Sequence, residues 1–197
     1  MATRYYLKSV LSVAILFAFV YHFINWFNAN RSEHYAWFFS WELNAPLIPW
    51  TMLLYVSVYV LIVLPCFLLQ KEQLKILKRE MQLAIIISGC IFLLLPTKLG
   101  FIRPDKLDYL DPVFQLMYKM DQEYNLFPSL HITLSMLLIL NLVKATGRYT
   151  RILFAFWMLG IMVSVITVHQ HHLIDIIGGI ILSILIHFFM HRHSTEC

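Results

Sequence analysis

Six apolar stretches separated by short polar segments run along the chain, at residues 7–27, 47–69, 81–95, 130–143, 152–168 and 173–190. Since about 20 apolar residues span the roughly 30 Å hydrocarbon layer of a bilayer, this pattern predicts an all-α polytopic membrane protein with six transmembrane helices in a bundle. The third and fourth stretches are short for a full crossing. We expect these two helices to extend into flanking residues or to lie in a locally thinned bilayer.

A short amphipathic helix is expected between the third and fourth spans, in the loop from Pro96 to Pro128. The pair Asp111-Pro112 is typical of a helix start. Apolar residues follow it at helical spacing: Val113, Leu116, Met117 and Met120. We expect this helix to lie on the extracytoplasmic surface, either as a lid over a site or as plain surface packing.

The composition agrees with a membrane protein. Of the 197 residues, 60% are hydrophobic and 13% are charged, whereas roughly a quarter of the residues in an ordinary soluble domain are charged. A soluble globule is therefore not expected. The six spans leave no room for a second domain, so we interpret residues 1–197 as a single domain.

The basic residues are distributed unevenly between the two sides of the predicted bundle. With the N-terminus inside, ten of the 15 Lys and Arg residues fall in cytoplasmic segments and five fall outside, in agreement with the positive-inside rule. The formal net charge of +4 therefore reflects topology and does not indicate binding to nucleic acid. We expect both termini to be cytoplasmic, and the first span, which no Ala-x-Ala site follows, to stay uncleaved.

The first outer loop is rich in aromatic residues, including Trp37, Trp41 and Trp50. This composition is typical of an interfacial belt that anchors helices; the alternative is that these residues form the walls of a groove through which lipid enters. The three cysteines, Cys66, Cys90 and Cys197, form no CxxC pair. We expect neither a disulfide framework nor zinc.

Polar side chains with useful chemistry collect at three helix ends, which this topology places on the extracytoplasmic side. They lie at residues 96–104, 125–131 and 169–175. Ionisable groups near membrane depth are costly and usually mark function. Lys98 and Arg103 supply cations suited to a phosphate group, and the planar Arg fork can bind two phosphate oxygens.

The other two segments supply an anion site and two histidines. Pro128-Ser129 opens the fourth predicted helix, whose first backbone N–H groups form a natural anion site that Ser129 can cap, and His131 follows. His171 and Asp175 are spaced i, i+4, so they share one face if the sixth helix begins before His171. The carboxylate then holds the imidazole in one tautomer and leaves the other ring nitrogen free to attack.

These segments resemble the three signature motifs of the type 2 phosphatidic acid phosphatase (PAP2) superfamily, which includes membrane lipid phosphatases and inositol-phosphorylceramide-type transferases. The family patterns are Lys-x6-Arg-Pro, Pro-Ser-Gly-His and Ser-Arg-x5-His-x3-Asp. They are matched here by Arg103-Pro104, Pro128-Ser129-x-His131 and Ser164-x6-His171-x3-Asp175. The matches stand in the family order and at the same helix ends.

Three positions depart from the family patterns. Lys98 lies five residues before Arg103 instead of seven. Leu130 replaces the Gly of the second motif, as in the Pro-Ser-Leu-His of the inositol phosphotransferase branch, and Val165 replaces an Arg. His169 or Gln170 is expected to fill the corner left by that Arg. If His169 binds phosphate as a cation, activity should fall as the pH rises through its pKa.

The resemblance implies a metal-independent phosphatase without a cofactor. His171 attacks phosphorus and forms a phosphohistidine; His131 protonates the departing lipid oxygen and then activates water. Asp175 orients His171, while Arg103, Ser129 and Lys98 neutralise the phosphate oxygens.

The expected substrate is a lipid phosphomonoester or diphosphate, and the expected partners are this substrate and membrane lipids. The small size favours a bacterial-style lipid phosphatase, which we expect in the bacterial cytoplasmic membrane with its active site extracytoplasmic. A phosphotransferase of the inositol-phosphorylceramide-synthase type is the alternative. The sequence indicates no particular oligomeric state.

Rival classes use the same histidines differently. In a haem-binding membrane anchor, His131 and His171 would be axial ligands, but Arg103 and Ser129 would then have no role and the protein would be coloured. A metal-dependent desaturase needs several histidine boxes, and the chain has one, His169-x-His171-His172. A transporter or a structural membrane protein is the remaining alternative.

Overall fold

A computed structural model describes residues 2–104 and 111–192, and every regular element within these ranges is helical. The α-helices are α1 (Ala2–Ala29), α2 (Met52–Val56), α3 (Val58–Val63), α4 (Pro65–Leu68), α5 (Lys71–Leu94), α6 (Asp111–Met120), α7 (Leu130–Leu142), α8 (Arg148–Thr167) and α9 (Leu173–Arg192). Short 3-10 helices cover Ser40–Asn44, Pro49–Thr51 and Val143–Ala145. The all-α prediction is confirmed over the described ranges.

Four helical segments in the described part of the chain are long and apolar enough to cross a membrane. They are Arg4–Ala29, Pro49–Leu68, Arg148–Thr167 and Leu173–Arg192, and they correspond to the first, second, fifth and sixth predicted spans. At most 33% of the most apolar stretch of each is buried inside the bundle, because side chains such as Phe67 and Phe156 face outward. Exposed apolar surface of this extent is compatible with lipid contact.

The two short predicted spans differ from each other in the structure. The third is extended at its start, because α5 begins at Lys71 and carries polar residues through Gln82 before its apolar half. The fourth stays short, since α7 has 13 residues and is continued only by the 3-10 helix Val143–Ala145. The count of six spans therefore remains a prediction.

The second span is divided into α2, α3 and α4. Pro65 has no backbone N–H to donate to the preceding turn, and α4 begins there. At the junction of α2 and α3, Ser57 Oγ accepts a hydrogen bond of 2.7 Å from Trp157 Nε1 of α8. This bond ties the broken span to its neighbour.

Close packing brings the first turns of α7 and α9 together. α5 packs against α1, α7 and α9, and α7 packs along α9. Gly179 permits this approach, since a Cβ atom there would lie 2.9 Å from the carbonyl oxygen of Ser129. We call the end where α5 finishes and α7 and α9 begin the site end, and the other end the far end.

The predicted helix between the third and fourth spans is present as α6. Its Phe114 and Met117 are buried, whereas Leu116 and Met120 are largely exposed. Residues 105–110, which precede it, lie outside the described residues. The position of α6 on the extracytoplasmic surface remains a prediction.

Candidate active site

His171 lies in the connection between α8 and α9, outside either helix. Its N–H and that of Gln170 both donate to the carbonyl oxygen of Val165, at 3.0 and 2.9 Å. Because α9 begins only at Leu173, the condition under which His171 and Asp175 would share a helix face is not met.

Asp175 nevertheless reaches His171 from the first turn of α9. Its Oδ2 accepts the N–H of His172 at 2.9 Å, because the first N–H groups at a helix start have no partner inside the helix. The same oxygen lies 3.4 Å from His171 Nδ1, a long hydrogen-bond distance. Nδ1 thus faces the carboxylate, and Nε2 is the ring nitrogen left for a ligand.

His172 is a buried support for this connection. Its Nε2 accepts the N–H of Gly100 at 3.0 Å, so Nε2 carries no proton and Nδ1 is the protonated nitrogen that donates to Glu42 Oε2 at 3.1 Å. Burial lowers the pKa of His172 from its ordinary value, which agrees with a neutral ring. The rings of Phe38 and Phe101 stack on it, each at 4.6 Å.

His131, the second residue of α7, is held by an aromatic contact. Its ring stacks on Tyr55 with centroids 4.1 Å apart, and the Tyr55 hydroxyl donates to Asp121 Oδ2 at 2.7 Å. The Nε2 atom of His131 is buried and has no hydrogen-bond partner among the described residues. A buried polar atom without a partner is costly, so this nitrogen is suited to a ligand.

Ser129 caps α7 as the sequence predicts. Its Oγ accepts the N–H of Ile132 at 3.3 Å, and its own N–H donates to the carbonyl oxygen of Asp175 at 3.0 Å. Its side chain is fully buried. Ser129 therefore joins the starts of α7 and α9, and its hydroxyl is engaged by the helix.

His131 and His171 line one cavity of about 370 Å³. Most of its walls are apolar side chains of α1, α2, α3, α5, α6 and α7, and Asp121 lies among them. Four residues of α6 belong to the wall: Val113, Leu116, Met117 and Met120. The apolar face of α6 thus borders the cavity that holds both histidines, and the lid and plain-packing alternatives both remain predictions.

Arg103 is not among the residues that line this cavity; it lines a second pocket with Tyr118 and Glu123, and its guanidinium binds protein groups. Its Nη1 donates to the carbonyl oxygen of Asp121 at 2.8 Å, and its Nη2 donates to Gln170 Oε1 at 3.0 Å. Its guanidinium also stacks over the ring of Tyr118, 4.8 Å from the centroid. Burial lowers the pKa of Arg103, while nearby Glu123 opposes the shift; a guanidinium remains charged in proteins.

Lys98 and His169 are not among the residues that line the cavity. Lys98 has an exposed side chain, and its backbone N–H donates to Tyr35 O at 3.0 Å. His169 is buried; its Nε2 lies 3.0 Å from the carbonyl oxygen of Ala45, and its ring stacks on Phe101 at 4.2 Å. Burial lowers the pKa of His169 from its ordinary value of 6.5.

Sequence reasoning missed three residues that hold the site, namely Glu42, Asp121 and Tyr55. Gln170 was expected to take the place of a missing Arg, whereas its Oε1 accepts a hydrogen bond from Nη2 of Arg103. The one available signal was the position of Glu42 between Trp41 and Leu43, since a carboxylate in an apolar setting needs a specific partner.

The fold and the site together define a class of protein. The fold is an apolar helical bundle compatible with a membrane, and His131 and His171 line one cavity, as the residues of an enzyme active site do. The sequence model of the PAP2 superfamily matches residues 79–196, which is more than half of the 197 residues and includes all three motif segments. The protein belongs to the PAP2 superfamily, and this membership indicates phosphatase-type activity. Comparisons with curated proteins and with solved structures find no match.

Proposed function

We propose that the protein is a membrane-embedded, metal-independent lipid phosphate phosphatase that acts through a phosphohistidine. The observation that carries this proposal is the shared cavity, which two histidines line and beside which Asp175 lies 3.4 Å from Nδ1 of His171. Two imidazoles can divide the work of a nucleophile and a general acid.

The proposed reaction begins with attack by His171. Its Nε2 forms a bond to phosphorus while the bond from phosphorus to the lipid oxygen breaks, and His131 gives its proton to that oxygen. The negative charge of the bound phosphate favours the protonated form of His131. Water then attacks the phosphohistidine, returns a proton to His131 and releases inorganic phosphate, so that both histidines regain their starting states.

The cavity shape supports a lipid as substrate. Its lining runs from His171 and Asp121 at the site end to Leu74 and Lys78 near the far end. Along α1 it extends from Tyr6 to Tyr21, which corresponds to about 22 Å at a rise of about 1.5 Å per residue. A long apolar cavity that ends at two histidines fits a phosphate group carried on an acyl or prenyl chain.

The charge distribution supports an orientation in the membrane. Lys71, Lys75 and Lys78 lie at the start of α5, at the far end of the bundle. With the far end cytoplasmic, the positive-inside rule is satisfied and the site end is extracytoplasmic. Both termini are then cytoplasmic, and we propose the bacterial cytoplasmic membrane as the location.

A phosphotransferase of the inositol-phosphorylceramide-synthase type is the second candidate. Leu130 and Val165 favour it, because both depart from the patterns of the phosphatase motifs. Val165 is fully buried and cannot supply a phosphate cation. The two candidates differ in whether water or an alcohol takes the phosphoryl group, or in whether a head group is moved.

The test uses the purified full-length protein in detergent with phosphatidic acid, phosphatidylglycerophosphate, an isoprenyl diphosphate and a lipid A phosphate, each with and without inositol. Free phosphate from one of these lipids is the expected product, and a new inositol ester would identify the transferase. His171→Ala is the inactive control and His22→Ala, an exposed histidine of α1, is the matched active one. If none of these lipids yields either free phosphate or an inositol ester, the proposal is contradicted.

A further inference from the structure

A second cluster of ligand-type side chains lies at the far end of the bundle. It consists of Glu80 of α5 with His187 and His191 of α9, and we call it the Glu80 cluster. Their ligand atoms all lie within 4.8 Å of one another. His187 is 12 positions after Asp175, so the cluster is about 18 Å along α9 from Asp175 at a rise of about 1.5 Å per residue.

Glu80 is the buried centre of the cluster. Its side chain is fully buried, and its Oε1 lies 2.8 Å from Nδ1 of His187 and 3.4 Å from Nδ1 of His191. Asn141 of α7 donates a hydrogen bond from Nδ2 to the other carboxylate oxygen, Oε2. A buried carboxylate must be paired or bound to a metal ion, and Glu80 pairs with His187 here. His191 Nδ1 lies 3.4 Å from the carboxylate and 3.0 Å from the carbonyl oxygen of His187, a contact that it would exchange for the ion.

We infer that the Glu80 cluster binds one divalent transition-metal ion of the zinc type. His187 and His191 are spaced i, i+4 and present two imidazoles on one helix face, and Glu80 completes a His2Glu set. Ligand atoms about 2.0–2.2 Å from zinc in tetrahedral geometry are about 3.3–3.6 Å from one another. The separation of 3.4 Å to His191 lies in this range, whereas the 2.8 Å to His187 is a hydrogen-bond distance that has to lengthen by about 0.5 Å when an ion binds.

The donor set selects the class of metal. Two imidazole nitrogens and one carboxylate suit zinc, copper or nickel, whereas calcium and magnesium require oxygen ligands. The hydrogen bond from Asn141 to Glu80 is the type of outer contact that fixes a metal ligand. Lys144 interacts electrostatically with Glu80 and His191. Its positive charge repels a metal cation, and the negative charge of Glu80 has to offset that repulsion.

The ion would act as a clamp between α5 and α9 at the end opposite the candidate active site. His191 retains 30% exposure of its side chain, which leaves a path for the ion from solvent. Since the cluster contains none of the residues proposed for phosphoryl transfer, its occupancy is independent of the proposed function. The expectation of no zinc rested on the cysteines, and they take no part here.

The test titrates Co²⁺ into purified full-length protein that has been stripped with a chelator in detergent. We expect one Co²⁺ per chain, with visible absorption typical of tetrahedral coordination, displacement by Zn²⁺, and a higher unfolding temperature with metal. His187→Gln and His191→Gln should each abolish stoichiometric binding. His22→Gln is the matched control and should retain it.

A milder variant tests the inference even if the histidine variants fail to fold. Asn141→Ala removes the contact to Glu80 but no ligand, and we expect it to weaken Co²⁺ binding about 10-fold to 100-fold. Wild-type protein that binds no stoichiometric Co²⁺ would overturn the inference. Binding that is unchanged in both histidine variants would overturn it as well, because the ion would then be adventitious.

Discussion

The Oδ2 atom of Asp175 lies 3.4 Å from Nδ1 of His171, although His171 precedes the helix that carries Asp175. The same oxygen accepts the N–H of His172 at 2.9 Å. One carboxylate thus anchors the connection between α8 and α9 and also faces the candidate nucleophile. The ring of His171 is therefore oriented by a backbone turn, with Nε2 left as its free nitrogen.

Removal of either cavity histidine is expected to abolish phosphate release. His171→Ala deletes the nucleophile, and His131→Ala deletes the group that protonates the leaving oxygen. Phosphate release from the best lipid substrate, measured at equal amounts of folded protein, should fall below a tenth of the wild-type rate in each. Activity above that level in either variant would count against the assignment.

Asp175→Asn should reduce turnover while leaving substrate affinity nearly unchanged. Its amide nearly matches the carboxylate in shape, but it no longer favours a proton on Nδ1 of His171. In the Ser-His-Asp triad, the same change of the carboxylate that holds the histidine tautomer lowers kcat about 10,000-fold, and we expect kcat here to fall by at least about 100-fold for the same reason. The measurement is kcat and KM, with exposed Glu33→Gln as control. A raised KM at unchanged kcat would exclude the orienting role.

Glu42→Ala is expected to destabilise the fold. Glu42 is buried and accepts both the Nδ1–H of His172 at 3.1 Å and the N–H of Leu173 at 3.2 Å. A buried donor left without an acceptor costs about 1–3 kcal/mol. The free energy of unfolding in detergent should therefore drop by about 2–6 kcal/mol for the two donors. The exposed control Glu33→Ala should change it by less than about 0.5 kcal/mol, and an equal drop in both would refute the pairing.

Because the pKa of His169 is lowered, His169 is expected to affect the stability of the fold only in acidic solution. Its folded-state pKa lies below the ordinary value of 6.5, so the unfolded chain binds the extra proton first as the pH falls. The free energy of unfolding of the wild type should therefore decrease below pH 6.5, and less steeply in His169→Gln.

The pH profile of activity tests whether protonated His169 also supports catalysis. If protonated His169 supports catalysis, activity falls as pH rises through a pKa below 6.5. Wild type and His169→Gln should then have parallel profiles above pH 6.5. A loss of activity between pH 7 and 8 that the variant abolishes would show that His169 is a phosphate-binding cation at neutral pH.

Local signals in the sequence predicted much of the fold. The apolar stretches located α1, α8 and α9, and the segment from Asp111-Pro112 onward was correctly predicted to be helical, because helix signals and apolar runs depend on neighbouring residues. Ser129 was correctly predicted as the cap of α7 for the same reason. The start of α9 at Leu173 coincides with the start of the sixth predicted stretch.

What the sequence determined by itself was the apolar character of the spans, the helix caps and the motifs that relate the chain to its superfamily. The tertiary structure alone decided which distant groups meet. Glu42 and His172 are 130 residues apart, and Glu80 and His187 are 107 apart. Such pairs depend on how complete helices pack, and a single sequence carries no local periodicity that specifies the partner of a buried charge.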